Sequence, residues 1–119
     1  MLIGGRNSVN EKLVKEISKV VPISFMDFLE LPKSKFLVDA ARPNFVLLNL
    51  MDIGLVEQTI FSLVKERYPD SKIIALHCYQ SSTLIKKTLD RGYDHYISIL
   101  NFSEEFQVLL HDQPEIFQD

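Results

Sequence analysis

The sequence predicts an α/β domain built on a doubly wound, parallel five-stranded sheet, and three observations predict it. Short apolar runs alternate about five times with segments of helical period, the order that builds a sheet covered on both faces. One run, Phe45-Val46-Leu47-Leu48-Asn49-Leu50, is almost unbroken apolar sequence, as a strand buried on both faces must be. The chain has 119 residues, 46% hydrophobic and 24% charged, which suits one compact domain and leaves little room for a second.

Met1 to Ile3 is the first apolar run, and Gly4-Gly5 comes directly after it. Ser8 and Glu11 stand three apart like a capping box opening a helix, whose buried stripe would be Val9, Leu13, Ile17 and Val20. Ile23 to Phe28 reads as a second strand, and Lys33 to Ala41 as a short helix stopped before Pro43, which disfavours helical geometry in Arg42. The central run Phe45–Leu50 carries one polar residue, Asn49. Gly54 marks a turn, and Val56, Ile60, Leu63, Val64 and Arg67 give a 3.6-residue stripe ending near Tyr68-Pro69-Asp70.

Lys72 to Leu76 is the next buried strand. Ser81, Ser82 and Thr83 offer cap oxygens to a helix running to Arg91, which Gly92 can close in the left-handed conformation. His95 to Ile99 makes the last strand. Ser103 is placed to cap a final helix with Glu104 and Glu105 in its first turn, packed down by Phe106, Leu109 and Leu110 and ended by Pro114. The domain therefore spans 1–113, with 114–119 a loose tail or the stub of a linker. A (βα)5 order of this kind commonly takes the flavodoxin-like strand arrangement 2-1-3-4-5, with function at the carboxyl ends of the strands. Those ends are Gly4-Gly5, Asn49, His77 and Ile99-Leu100.

Several function classes have no support. The formal net charge is −3 and no run of five or more basic residues occurs, so no footprint for nucleic acid is present. Cys78 is the only cysteine, which rules out an intramolecular disulfide and suits a reducing, cytoplasmic compartment. No apolar stretch approaches a membrane span or a signal-peptide core. Neither a G-x-G-x-x-G nor a P-loop pattern is present, so Gly4-Gly5 reads as a tight turn and not as a phosphate cradle.

Pro43 to Gly54, Lys72 to Leu76, Leu89-Asp90-Arg91-Gly92-Tyr93-Asp94-His95-Tyr96-Ile97 and Phe102-Ser103-Glu104-Glu105 together resemble the receiver domains of bacterial two-component response regulators, and the similarity runs over nearly the whole chain. The resemblance implies a Mg²⁺-binding acidic pair, a phosphoacceptor Asp, a hydroxyl residue and a Lys-Pro pair. Here those positions hold Gly4 and Gly5, Asn49, His77, and Ile99 with Leu100. Phosphoryl transfer needs an anionic nucleophile, a divalent cation and donors to hold the product. The joint loss implies a pseudo-receiver without catalysis, cofactor or bound metal. Tyr96 matches the family's switch aromatic; with the trigger hydroxyl missing it is expected to be a packing or interface residue.

The competing chemical readings are weaker. If both lie on the strand, His77 and Cys78 point to opposite faces and cannot share one ion, and adjacent His77 is poorly placed as a base for the thiol. Asp52, three residues after Asn49, reads as a solvated loop carboxylate. The function expected on these grounds is that of a signalling module working by protein contact or self-association through the face of the fourth helix, last strand and last helix. Leu84, Lys87, Arg91, Tyr96, Phe106 and Gln107 are its candidate contacts. The alternative is a small-ligand sensor using the emptied pocket of Gly4, Gly5, Asn49 and His77, where lost carboxylates would favour anions.

Overall fold

The computed structural model describes residues 1–33 and 43–117. Five strands, β1 (Leu2–Gly4), β2 (Phe25–Asp27), β3 (Phe45–Asn49), β4 (Lys72–His77) and β5 (His95–Ser98), form one sheet in the order β2-β1-β3-β4-β5. Every pairing is parallel, with Leu2 opposite Leu47, Asn49 opposite Leu76 and His77 opposite Ser98. Among the described residues the α-helices are α1 (Ser8–Ser18), the single turn α2 (Leu50–Ile53), α3 (Glu57–Arg67), α4 (Ser82–Asp90) and α5 (Phe102–Asp112). This is the doubly wound arrangement expected from the sequence.

The strand side chains alternate between two cores, as the pleat requires. Leu2, Leu47, Ile74, Leu76 and Ile97 pack beneath α1 and α5, while Ile3, Val46, Leu48, Ile73 and Ala75 pack beneath α2 and α3. No helix among the described residues is long and apolar enough to cross a membrane.

Several elements differ from expectation for identifiable reasons. The cap of α1 is Asn7, whose side-chain oxygen accepts the Asn10 N–H, so the Ser8–Glu11 box does not form. The buried stripe of α1 is accordingly Asn10, Leu13 and Ile17, and Val9 and Val20 are exposed. β2 is shorter than the expected Ile23–Phe28. Leu50 leaves β3 and opens α2, because the Asn49 side chain caps that turn through the Met51 N–H. Val56 is exposed, which leaves Ile60 and Val64 as the buried stripe of α3.

The helix expected over 33–41 lies, beyond Lys33, outside the described residues; Leu31–Lys33 is a 3₁₀ turn. Ser81 caps α4, and Gly92, with φ of 112°, closes it by donating its N–H to Leu89 O. α5 starts after Asn101 without a side-chain cap, and Ser103 instead donates its hydroxyl to Glu16 of α1. Past Pro114 the chain does not hang loose through residue 117. A 3₁₀ turn, Pro114–Phe117, buries Ile116 and Phe117, and the Phe117 ring meets Phe45 and Phe106 edge-on.

Candidate functional site

The carboxyl ends of β1 and β3 bring Gly4, Gly5 and Asn49 together, as the topology requires. The space between them is filled. Asn10, rising from the first turn of α1, is 1% exposed, and its Nδ2 donates to Gly5 O at 2.6 Å and to Asp52 Oδ2 at 2.7 Å. Its Oδ1 accepts Asn49 Nδ2 at 2.8 Å. Asp52 also accepts the Gly5 N–H at 3.0 Å and Asn7 Nδ2 at 3.1 Å. Asn49 is itself 1% exposed, with its Oδ1 engaged by the Met51 N–H.

One sequence reading is corrected by this geometry. Asp52 is not a solvated loop carboxylate: it is half-buried, with three N–H donors converging on it, because α2 turns it back over the β1–α1 junction. Gly4 and Gly5 are not glycines because of a left-handed backbone, since among described residues positive φ occurs at Gly54 and Gly92 only. Gly4 is required by close approach. A Cβ there would stand 2.6 Å from Asn10 Nδ2 and 2.8 Å from Asp52 Oδ2. The space between the ends of β1 and β3 is thus occupied by a carboxylate and an amide from elsewhere in the chain.

This donor set does not fit Mg²⁺. Hard divalent cations need several oxygens converging on one point, whereas here N–H groups converge on the one carboxylate. The other acid at this edge, Asp27 at the end of β2, pairs with Arg6 at 3.4 Å and accepts the Leu29 N–H. Beside the network a cavity of about 340 Å³ opens toward α1 and β2, lined by Gly5, Arg6, Asn7 and Asn10 but by neither Asn49 nor His77.

His77, at the end of β4, and Ile99 are not bonded into this network. Ile99 packs against the core under α1 and α5. His77 Nδ1 accepts the Cys78 N–H at 2.8 Å, and its ring stacks on Tyr79 with centroids 3.8 Å apart. Burial lowers the His77 pKa, an effect that Glu57 opposes and Arg91 reinforces. Because the folded-state value is depressed, the unfolded chain takes up the proton first as pH falls below about 6.5. The contribution of neutral His77 to stability is whole above that pH and is lost as pH falls toward the folded value. Thermal midpoints should therefore drop further between about pH 7.5 and about pH 5.5 in the parent than in His77→Gln; equal drops would refute the assignment.

The expected contact residues divide. Tyr96 is half-buried on the edge strand β5, and its hydroxyl donates to Tyr79 O at 2.8 Å. Burial pushes its pKa up to about 12. Leu84, Lys87 and Gln107 are exposed. Phe106 is not a contact residue: at 2% exposure it is core, stacked on Phe102. Arg91 turns away from β5, bonding Glu57 on α3 at 2.8 and 3.2 Å. The groove between α4 and α5 is lined by Tyr96 together with residues that the sequence pattern does not single out as contacts, notably Ile85, Leu89 and Val108.

No protein-family model matches the sequence, and no curated protein matches it. Two solved structures do match. One is a response regulator in red light signaling of R. palustris, 18% identical with a TM-score of 0.66, covering 92% of this chain and 90% of its own. The other is the signal receiver domain of an HD domain-containing protein from Pseudomonas fluorescens Pf-5, 17% identical with a TM-score of 0.67, covering 96% and 84%. The fold is the receiver fold. Within it, the end of β3 carries a buried amide and the end of β1 two glycines, so this receiver-fold domain presents its mouth as a closed polar network.

Proposed function

We propose that this receiver-fold domain is a signalling module that is not phosphorylated and that works, without catalysis, through protein contact. The observation that carries the reading is the state of Asn49: an amide in place of a nucleophilic carboxylate, buried, with both ends engaged by Asn10 and Met51. An amide nitrogen in that position is no nucleophile, and the network leaves no cluster of oxygens to hold the cation that phosphoryl chemistry needs. The charge that Asp52 brings to the pocket and the Asn10 side chain within it favour this reading over a ligand sensor. A cytoplasmic setting suits the single, half-buried thiol of Cys78.

Incubation with acetyl phosphate and Mg²⁺ should leave the intact mass unchanged, and beryllofluoride with Mg²⁺ should leave the amide resonances of Asn49 and Asp52 in place. A phosphoryl adduct on this chain, or Mg²⁺-dependent shifts at those two residues, would overturn the reading.

A further inference from the structure

Charge is divided unevenly along this chain. Arg91 is its last Lys or Arg, and residues 92–119 carry six acidic side chains, Asp94, Glu104, Glu105, Asp112, Glu115 and Asp119. Against a formal net charge of −3 overall, residues 1–91 therefore sum to +3, with thirteen basic and ten acidic residues. The acidic segment builds β5 and α5.

Between α4 and α5, across β5, lies a groove of about 400 Å³ whose lining includes Ile85, Leu89 and Val108 as apolar surface and Asp94, Glu105 and Asp112 as acids, with no Lys or Arg. Val108 is 59% exposed, an apolar side chain left facing water in the groove. Two of the acids are held in place: Asp94 accepts the Ile73 N–H at 2.8 Å and Glu105 the Ser98 N–H at 3.0 Å. Arg91, which could have neutralised the groove, is committed to Glu57 on α3.

An apolar groove between two helices accepts the apolar stripe of a third, and an acidic rim selects for flanking cations. A second copy of this chain meeting it through the same face would set one acidic groove against another. We propose that the α4–α5 groove docks a basic amphipathic helix of a partner protein, with the helix's apolar stripe on Ile85, Leu89 and Val108 and its Lys or Arg residues facing Asp94, Glu105 and Asp112. This inference rests on the protein-contact reading and names the chemistry of the partner.

The test uses the full chain and two synthetic helical peptides that share Leu at i, i+3, i+4 and i+7, one flanked by Lys and the other by Glu, with binding read by fluorescence anisotropy. The Lys peptide should bind about tenfold or more tightly than the Glu peptide, with the gap narrowing as salt is raised. Val108→Glu should weaken the Lys peptide by about tenfold or more, and Asp112→Lys should weaken it while improving the Glu peptide. Both positions are exposed, so thermal midpoints should stay at the parent value. Absence of Lys-peptide binding, equal binding of the two peptides, indifference to Val108→Glu, or a dimer in sedimentation that Val108→Glu dissolves would each overturn the proposal. Any of these alongside an unmodified mass after acetyl phosphate treatment would remove the partner chemistry and leave the unphosphorylated reading standing.

Discussion

Phe106→Ala is expected to cost about 3–5 kcal/mol of unfolding free energy, the range for deleting a buried aromatic ring whose surroundings relax only in part. The ring is 2% exposed and sits between two others, stacked on Phe102 and meeting Phe117 edge-on, each with centroids 5.2 Å away. Removing it takes away both aromatic contacts and leaves a cavity under α5, where Ile116 and Phe117 fold back onto the same core. Gln107→Ala, one residue along on the exposed side of the helix, should stay within about 0.5 kcal/mol of the parent. Urea denaturation of the two variants separates the core role from a contact role. If Phe106→Ala unfolds at the parent midpoint, the residue belongs to the surface after all.

The position of Phe106 shows what a periodic pattern conveys and what it leaves out. Spacing places Phe106 on α5 and places strands at β3 and β4 within a residue or two, because runs such as Phe45–Leu48 and Ile73–Leu76 can only be buried on both faces. Which side of a helix meets the sheet and which meets a neighbouring molecule is set by the chain's return path. Here that path includes the turn Pro114–Phe117, which covers Phe106 although its sequence has the look of a loose end.

The same holds at the mouth of the sheet. The residue types at the strand ends, Gly4, Gly5 and Asn49, are legible one by one, but what fills the space between them is not, because Asn10 and Asp52 lie 39 and 3 residues from Asn49 and meet only in the folded chain. One signal is present in the pattern. Asn10, Leu13 and Ile17 share a helical stripe as well as Val9, Leu13 and Ile17 do, and a polar residue in a core-facing slot points to a partner that must satisfy it. Arg91 illustrates the opposite limit, since its choice of Glu57 over the β5 side depends on which rotamer reaches a carboxylate contributed by α3.

The second large effect arises from that buried amide. Asn10→Ala is expected to destabilise the fold by about 2–4 kcal/mol, because it strands the buried Asn49 Nδ2, takes the donor from Gly5 O and removes one of three donors to Asp52. Val9→Ala, at the preceding but exposed position, should cost well under about 1 kcal/mol. Equilibrium urea unfolding gives both numbers. A double-mutant cycle then tests whether the filled mouth acts as one unit. In Asn10→Ala combined with Asn49→Ala, the Asn49 donor that the first substitution stranded is itself gone, so the double variant should be more stable than the sum of the singles predicts, by roughly 0.5–3 kcal/mol. Strict additivity would mean that the two amides stabilise the fold separately, and that the filled mouth of the sheet is not one network.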